Sequence, residues 1–185
     1  MKYWIPVTHL DLFRLEAYGE VNAIDVVRLV NSKTFRTQRK IPRIKFRSQE
    51  YYLALRSKPN RACIFLTRDG ECSVHSFKPL VCRFYPFVYS VKRDGSIEIK
   101  VNKDAINECP GLILDGKPLE EELKFKLMRL ARARIRELKL YSEAIEKWNW
   151  ELYSESSRVE DLLEFLLNEA KKHYIILKVE GLWVK

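Results

Sequence analysis

An α+β fold follows from three patterns in the chain. Asp69-Gly70 and Asp94-Gly95 each stand between short runs of β-branched, aromatic and alternating residues, the signature of hairpins. From about Pro118 apolar residues recur at three- and four-residue steps, the signature of amphipathic helices. Between these regions, Cys63, Cys72 and Cys82 crowd into one short stretch, and Cys109 follows in a Cys-Pro-Gly tripeptide. Together they predict short β-hairpins and short helices around a cysteine cluster over residues 1–115. A helical hairpin forms the extension over 116–185.

Length and composition bound the function. A chain of 185 residues can bury a real core without disulfide staples. No run approaches eighteen uninterrupted apolar residues, so no transmembrane helix is expected. MKYWIPVTHLDLF lacks the apolar core and cleavage site of a secretory signal, which points to the cytoplasm. Lys, Arg and Glu abound while Gln stands only at 38 and 49, a balance that leans thermophilic. An ordinary cytosol keeps thiols reduced, whereas a hyperthermophile's tolerates structural disulfides.

The net charge of +9 is unevenly placed. Lys33, Arg36, Arg39, Lys40, Arg43, Lys45, Arg47, Arg56, Lys58 and Arg61 surround a single acid, Glu50, so the segment 33–61 carries the whole excess. Such a patch can attract nucleic acid, an anionic membrane or an acidic protein, and it also serves as an ordinary solvated loop.

In chain order, Thr8 and Asp11 form a capping pair for a helix from about His9 to Ala17, with Leu10, Phe13 and Ala17 inward and Gly19 as a stop. A second short helix fits Ala23 to Val30. Pro42 and Pro59 punctuate the basic stretch, where Phe46 and Tyr51 to Leu53 form a strand or turn. Ile64–Thr67 and Cys72–His75 flank Asp69-Gly70, which puts Thr67 opposite Cys72. In that register Cys63 and Cys72 share a face about 13 Å apart at roughly 3.3 Å per residue. That is too far for a disulfide or a shared zinc unless the strand curls, so Cys82 with Cys72 or Cys109 is the nearer pairing. A second hairpin joins 88–92 to 96–101, with Ile97, Ile99 and Val101 on one face. The long helix carries Leu119, Leu123, Leu127, Leu130, Leu138, Tyr141, Ile145 and Trp148, a stripe interrupted by Arg134. An antiparallel partner fits Arg158 to Lys172, and Tyr174–Val184 reads as a strand.

The chemistry rests on the thiols. The spacing Cys63-x8-Cys72-x9-Cys82-x26-Cys109 contains no two-to-four-residue zinc knuckle and no ferredoxin-like run. Metal ligation, disulfides and buried free thiols all remain open on spacing alone. Lys78 and Arg83 beside Cys82 would favour the thiolate that a metal needs. His75 is a further imidazole near two cysteines, or simply a strand residue. His9 and His173 read as surface or helix-end residues, Asp11 and Arg14 as a cap and a surface cation, and Trp148 and Trp150 as packing residues.

Read in order, IPVTHLDLFRL, CIFL, Asp-Gly, CSVH, Lys-Pro, CRFYPF and CPG resemble the YkgJ-type family of zinc- or iron-chelating proteins with a CxxCxxCC motif. The likeness spans about Ile5 to Gly111. It implies that Cys63, Cys72, Cys82 and Cys109 match the family's later cysteines and are ligands of a zinc or iron ion or an iron–sulfur cluster. The family's CxxCxxCC segment would stand just before Ile5, where this sequence has Met1-Lys2-Tyr3-Trp4. The resemblance therefore implies a start further upstream or a site that has lost those ligands. Lys78 stands for the family's usual Arg, and His75 for a common Tyr. The family is also similar to a flagellin lysine N-methylase, which makes an enzyme of that kind an alternative by analogy, although no methyl-donor motif is visible. A basic nucleic-acid-binding module built on 33–61 is the third reading.

Overall fold

The computed structural model describes residues 4–34, 41–106 and 108–185. Met1 to Tyr3, and the cations Arg36, Arg39 and Lys40, lie outside the described residues. Among the described residues the architecture is α+β: five α-helices and five strands, the strands in two small antiparallel sheets and the last two helices in a C-terminal hairpin, in the order α1-α2-β1-β2-β3-α3-β4-β5-α4-α5.

Helix α1 (His9–Gly19) starts as its sequence dictates. The Thr8 hydroxyl accepts the Asp11 N–H at 3.3 Å while the Asp11 carboxylate accepts the Thr8 N–H at 3.0 Å, a reciprocal cap. The helix ends one residue beyond Gly19, at Glu20 in the left-handed region. Gly19 serves a different need: a side chain there would strike the ring of Phe77.

Helix α2 (Ala23–Val26) is shorter than the expected Ala23–Val30, because its second half is strand β1 (Val27–Asn31). β-Branched valines suit either state, and pairing with a neighbouring strand decides. That neighbour is β3 (Gln49–Leu55), the centre of a sheet ordered β1-β3-β2. Its other edge is shared by β2 (Ile44–Phe46) and by the N-terminal segment, where Pro6 faces Ala54. Arg47 and Ser48 link β2 to β3 with φ of 46° and 57°, a mirror-image turn built without glycine. Ser48 is tied down by its N–H to Tyr153 Oη at 3.0 Å and its hydroxyl to Glu155 at 2.8 Å.

Strands β4 (Phe87–Val91) and β5 (Ile97–Val101) form the second hairpin where it was expected, with Ile97 and Ile99 packed on helix α4 residues. Helix α3 (Leu80–Phe84) precedes them. Helix α4 (Glu121–Lys147) runs into a π-helical turn, Trp148–Leu152, and α5 (Val159–Val179) returns. The ion pairs Arg136–Glu180 and Lys147–Glu169 and the Trp148–Phe165 ring contact show that the two helices run antiparallel. The strand expected at Tyr174–Val184 is instead the last turns of α5 and its cap. Leu166, Ala170, His173 and Leu177 keep one buried helical stripe, and the N–H groups of Leu182 and Trp183 close on the Leu177 carbonyl. One core cluster joins α1, the three-stranded sheet and both long helices.

His9 and His173 are not surface residues. Both are buried, and His9 Nε2 lies 2.7 Å from His173 Nδ1. Burial, then the neighbouring His173, pushes the His9 imidazole down to about 3. An unfolded histidine titrates near 6.5, so the fold loses this contribution as pH falls below that value, by about 2 kcal/mol between pH 7 and pH 5. Burial raises the Glu137 carboxyl, which acts in the opposite direction. Denaturant titrations of wild type and His9→Leu should therefore differ in their pH slope by about that amount; parallel slopes would show that His9 takes up its proton as readily folded as unfolded.

Candidate metal centre

Cys63 and Cys72 are placed by turns and isolated bridges, not by a regular hairpin, and Cys82 by a short helix. The runs around Asp69-Gly70 were expected to form a hairpin with Thr67 opposite Cys72. The structure pairs Leu66 with Cys72 in an isolated bridge, one residue out of that register. The Thr67 N–H bonds to the Glu71 carbonyl at 2.8 Å, so the closed loop is Arg68-Asp69-Gly70, three residues where two were expected. Phe65 and Val74 are buried in the main core, and their anchoring sets the register. The Leu66 N–H reaches back to the Cys63 carbonyl at 3.1 Å, making residues 63–66 a turn. The chain thus curls at Cys63, and the extended separation of about 13 Å does not arise.

Cys63 and Cys72 pack on the edge of the main core, and each thiol would feel the other's charge. The N–H groups of Phe65 and Leu66 point at the Cys63 sulfur and favour its thiolate, but burial outweighs them and Cys63 is pushed up. Cys82 sits in α3, whose short helix begins after Lys78-Pro79. Burial first, then Asp11, Cys63 and Cys72, push the Cys82 thiol up to about 12, and Lys78 lowers it too little to compensate. The expectation that nearby cations make Cys82 a thiolate is therefore overturned for the fold alone. Arg83 turns to the backbone, with Nε donating to the Lys78 carbonyl at 2.9 Å. His75 opens a 3₁₀ turn and is exposed.

Cys109 has its own set of neighbours. Its thiol interacts with the Tyr85 hydroxyl, and it lines a surface pocket of about 370 Å³ with Ile106, Glu108 and Leu112. All four cysteines are free thiols.

The placement of Cys82 depends on a buried charge network that reaches the far end of the sequence. Asp11 Oδ1 accepts from the Leu80 N–H at 3.0 Å and from Arg14 at 3.1 Å. Asp11 Oδ2 accepts from the Thr8 N–H and hydroxyl and from Arg134 at 3.0 Å. Arg14, 0% exposed, also pairs with Glu137 and donates to the Val184 carbonyl at 2.6 Å. Arg14 is thus a buried tie, not a surface cation. Burial would raise the Asp11 carboxyl, but Arg134, Arg14 and the two backbone N–H groups outweigh it and hold it low. The Arg134 that interrupts the α4 stripe was the sequence signal for this network, and Glu137, one turn on, carried none.

Thiols suit thiophilic ions such as zinc and iron, so the donor chemistry fits such a site. The spacing does not enclose one as folded: among the described residues, no three Cys, His, Asp or Glu side chains stand close enough to hold a metal ion. Among those residues, too, no helix is long and apolar enough to cross a membrane.

The model of the CxxCxxCC family, described as a "putative zinc- or iron-chelating domain", matches residues 17–110. The chain belongs to this family, and the matched stretch holds all four cysteines but neither Asp11 nor Arg134. No curated protein and no solved structure matches the chain.

Two measurements check this site. Asp11→Ala leaves Arg134 and the Leu80 N–H buried without a partner and should cost about 3–5 kcal/mol in urea denaturation, against about 1 kcal/mol for Thr8→Ala, which removes a cap hydroxyl alone. In metal-free protein at pH 8, Cys82 should alkylate about a thousandfold more slowly than a free cysteine thiol, read by mass spectrometry of the peptide containing it.

Proposed function

We propose that this protein binds a single zinc or iron ion through the thiolates of Cys63, Cys72 and Cys82. The observation that carries the reading is the placement of three cysteines: Cys63 in a turn and Cys72 in an isolated bridge both pack on the edge of the main core, and Cys82 in α3 lies within electrostatic reach of both. Membership of a zinc- or iron-chelating family supports it. A divalent ion supplies the positive charge that this cluster lacks, converting buried thiols into ligands and releasing their protons. Binding would require the turns at Cys63 and Cys72 to move, because no three donors among the described residues are close enough as folded. Three thiols favour a single ion over an iron–sulfur cluster, whose usual ligands are four cysteines.

The test is metal content of protein purified without oxygen, followed by cobalt titration of the apo form read by thiolate-to-metal absorption. Near-stoichiometric zinc or iron is expected. Cys82→Ser should weaken cobalt binding at least about a hundredfold, as loss of one of three ligands requires. Cys109→Ser decides whether that residue belongs to the set, and unchanged binding would leave it outside. Apo protein in which cobalt protects none of the thiols from alkylation would sink the proposal, and acid-labile sulfide would replace it with a cluster.

A further inference from the structure

The outer face of the three-stranded sheet has no part in the metal reading, yet it is built in an unusual way. The strand register puts Val27, Leu29, Ile44, Leu53 and Leu55 on the core face. Side chains of opposite parity lie on the other face: Val30, Tyr52 and Ala54 are buried at its centre, and Arg28, Lys45 and Glu50 stand at its margins, where Arg43 joins Glu50 by a 2.8 Å bond. Glu50 is the single acid within these three strands. The Trp4 ring covers Tyr52 on the same face, with centroids 5.3 Å apart.

Beside this face stands Trp150. It was expected to pack, but it is 78% exposed, with Lys45 Nζ 4.0 Å above its ring. A large indole left in water is held there by its neighbours. Asn149 accepts the Lys45 N–H at 2.7 Å and donates to the Arg43 carbonyl at 2.8 Å, while Trp148 Nε1 donates to the Lys45 carbonyl at 3.1 Å. Two side chains thus complete the open edge of β2 as a strand would, and they fix the turn that carries Trp150.

From this arrangement we infer that Trp150 and the β2 margin of this face bind single-stranded nucleic acid. Lys45 and Arg43 supply cations beside the indole for phosphates that flank a stacked base, and guanidinium groups match phosphate geometry. The rigid exposed indole supplies a stacking platform, which an unpaired base can use and a paired base in a duplex cannot. One isolated indole among cations on a flat sheet offers little apolar area for insertion into a lipid surface.

The experiment is fluorescence anisotropy of a labelled twelve-nucleotide oligothymidylate and its RNA counterpart, at several salt concentrations, with the full chain. Binding that falls steeply with salt is expected. Trp150→Ala, a surface change that should leave the melting temperature in place, should weaken binding about tenfold or more. Arg43→Gln and Lys45→Gln should each reduce the salt slope by about 0.7. A duplex of the same length should compete poorly. Cys82→Ser should bind the oligonucleotide as wild type does, which separates this surface from the metal site. Absence of binding at low salt, an unaffected Trp150→Ala variant, or tighter binding to vesicles of anionic lipid than to the oligonucleotide would overturn the inference.

Discussion

The carboxylate of Asp11 is the point on which distant parts of the chain meet. It lies fully buried in α1 and accepts from Thr8, Arg14, Leu80 and Arg134. Those partners belong to the N-terminal cap, to α1 itself, to the start of α3 and to the middle of α4. A buried ion cluster of this kind adds little net stability over a well-packed apolar one, because desolvation offsets most of its Coulombic gain. Its effect is on specificity. Each charge must find its partners or remain buried without compensation, so alternative packings of α3 against α1 and α4 are strongly disfavoured. Glu137 extends the constraint through Arg14, and Arg14 in turn holds the C-terminal Val184 and lies 4.3 Å from the Trp183 ring.

This constraint explains how a segment with little regular structure can place thiols. Residues 57–79 contain isolated bridges, turns and one 3₁₀ turn, so no sheet or helix dictates where Cys63 and Cys72 stand. Apolar anchors do that work instead. Phe65 and Val74 enter the main core, and Phe77 lies against the bare backbone of Gly19. At the far end of the segment, Asp11 holds the Leu80 N–H two residues before Cys82. The cysteines therefore sit between hydrophobic anchors and a charge anchor. Burial pushes the Cys63 and Cys82 thiols up and so favours their protonated form.

The open edge of β2 shows the same economy. An edge strand exposes backbone groups that invite pairing with another chain. Here Asn149 and Trp148 occupy those groups, and the strained turn at Arg47-Ser48 is tied to Tyr153 and Glu155. One connection between α4 and α5 thus protects the sheet and presents Trp150.

Local chemistry alone was enough to read several features in the sequence. The Thr8–Asp11 cap, the Asp94-Gly95 hairpin, the two long helices and the family of the cysteine-bearing stretch all rest on contacts within a few residues or on local wording. The features that tertiary structure decided involve partners far apart in sequence. Arg134 read as a flaw in an apolar stripe because its partner lies 123 residues away. His9 and His173, separated by 164 residues, read as surface groups for the same reason. The hairpin at Asp69-Gly70 misled because a turn propensity worth little by itself yielded to the burial of Phe65 and Val74. Periodicity and turn chemistry are short-range, and they place elements along the chain. Where the thiols stand, which charges are buried and which indole is left in water depend on how those elements pack, and desolvation makes that packing unforgiving.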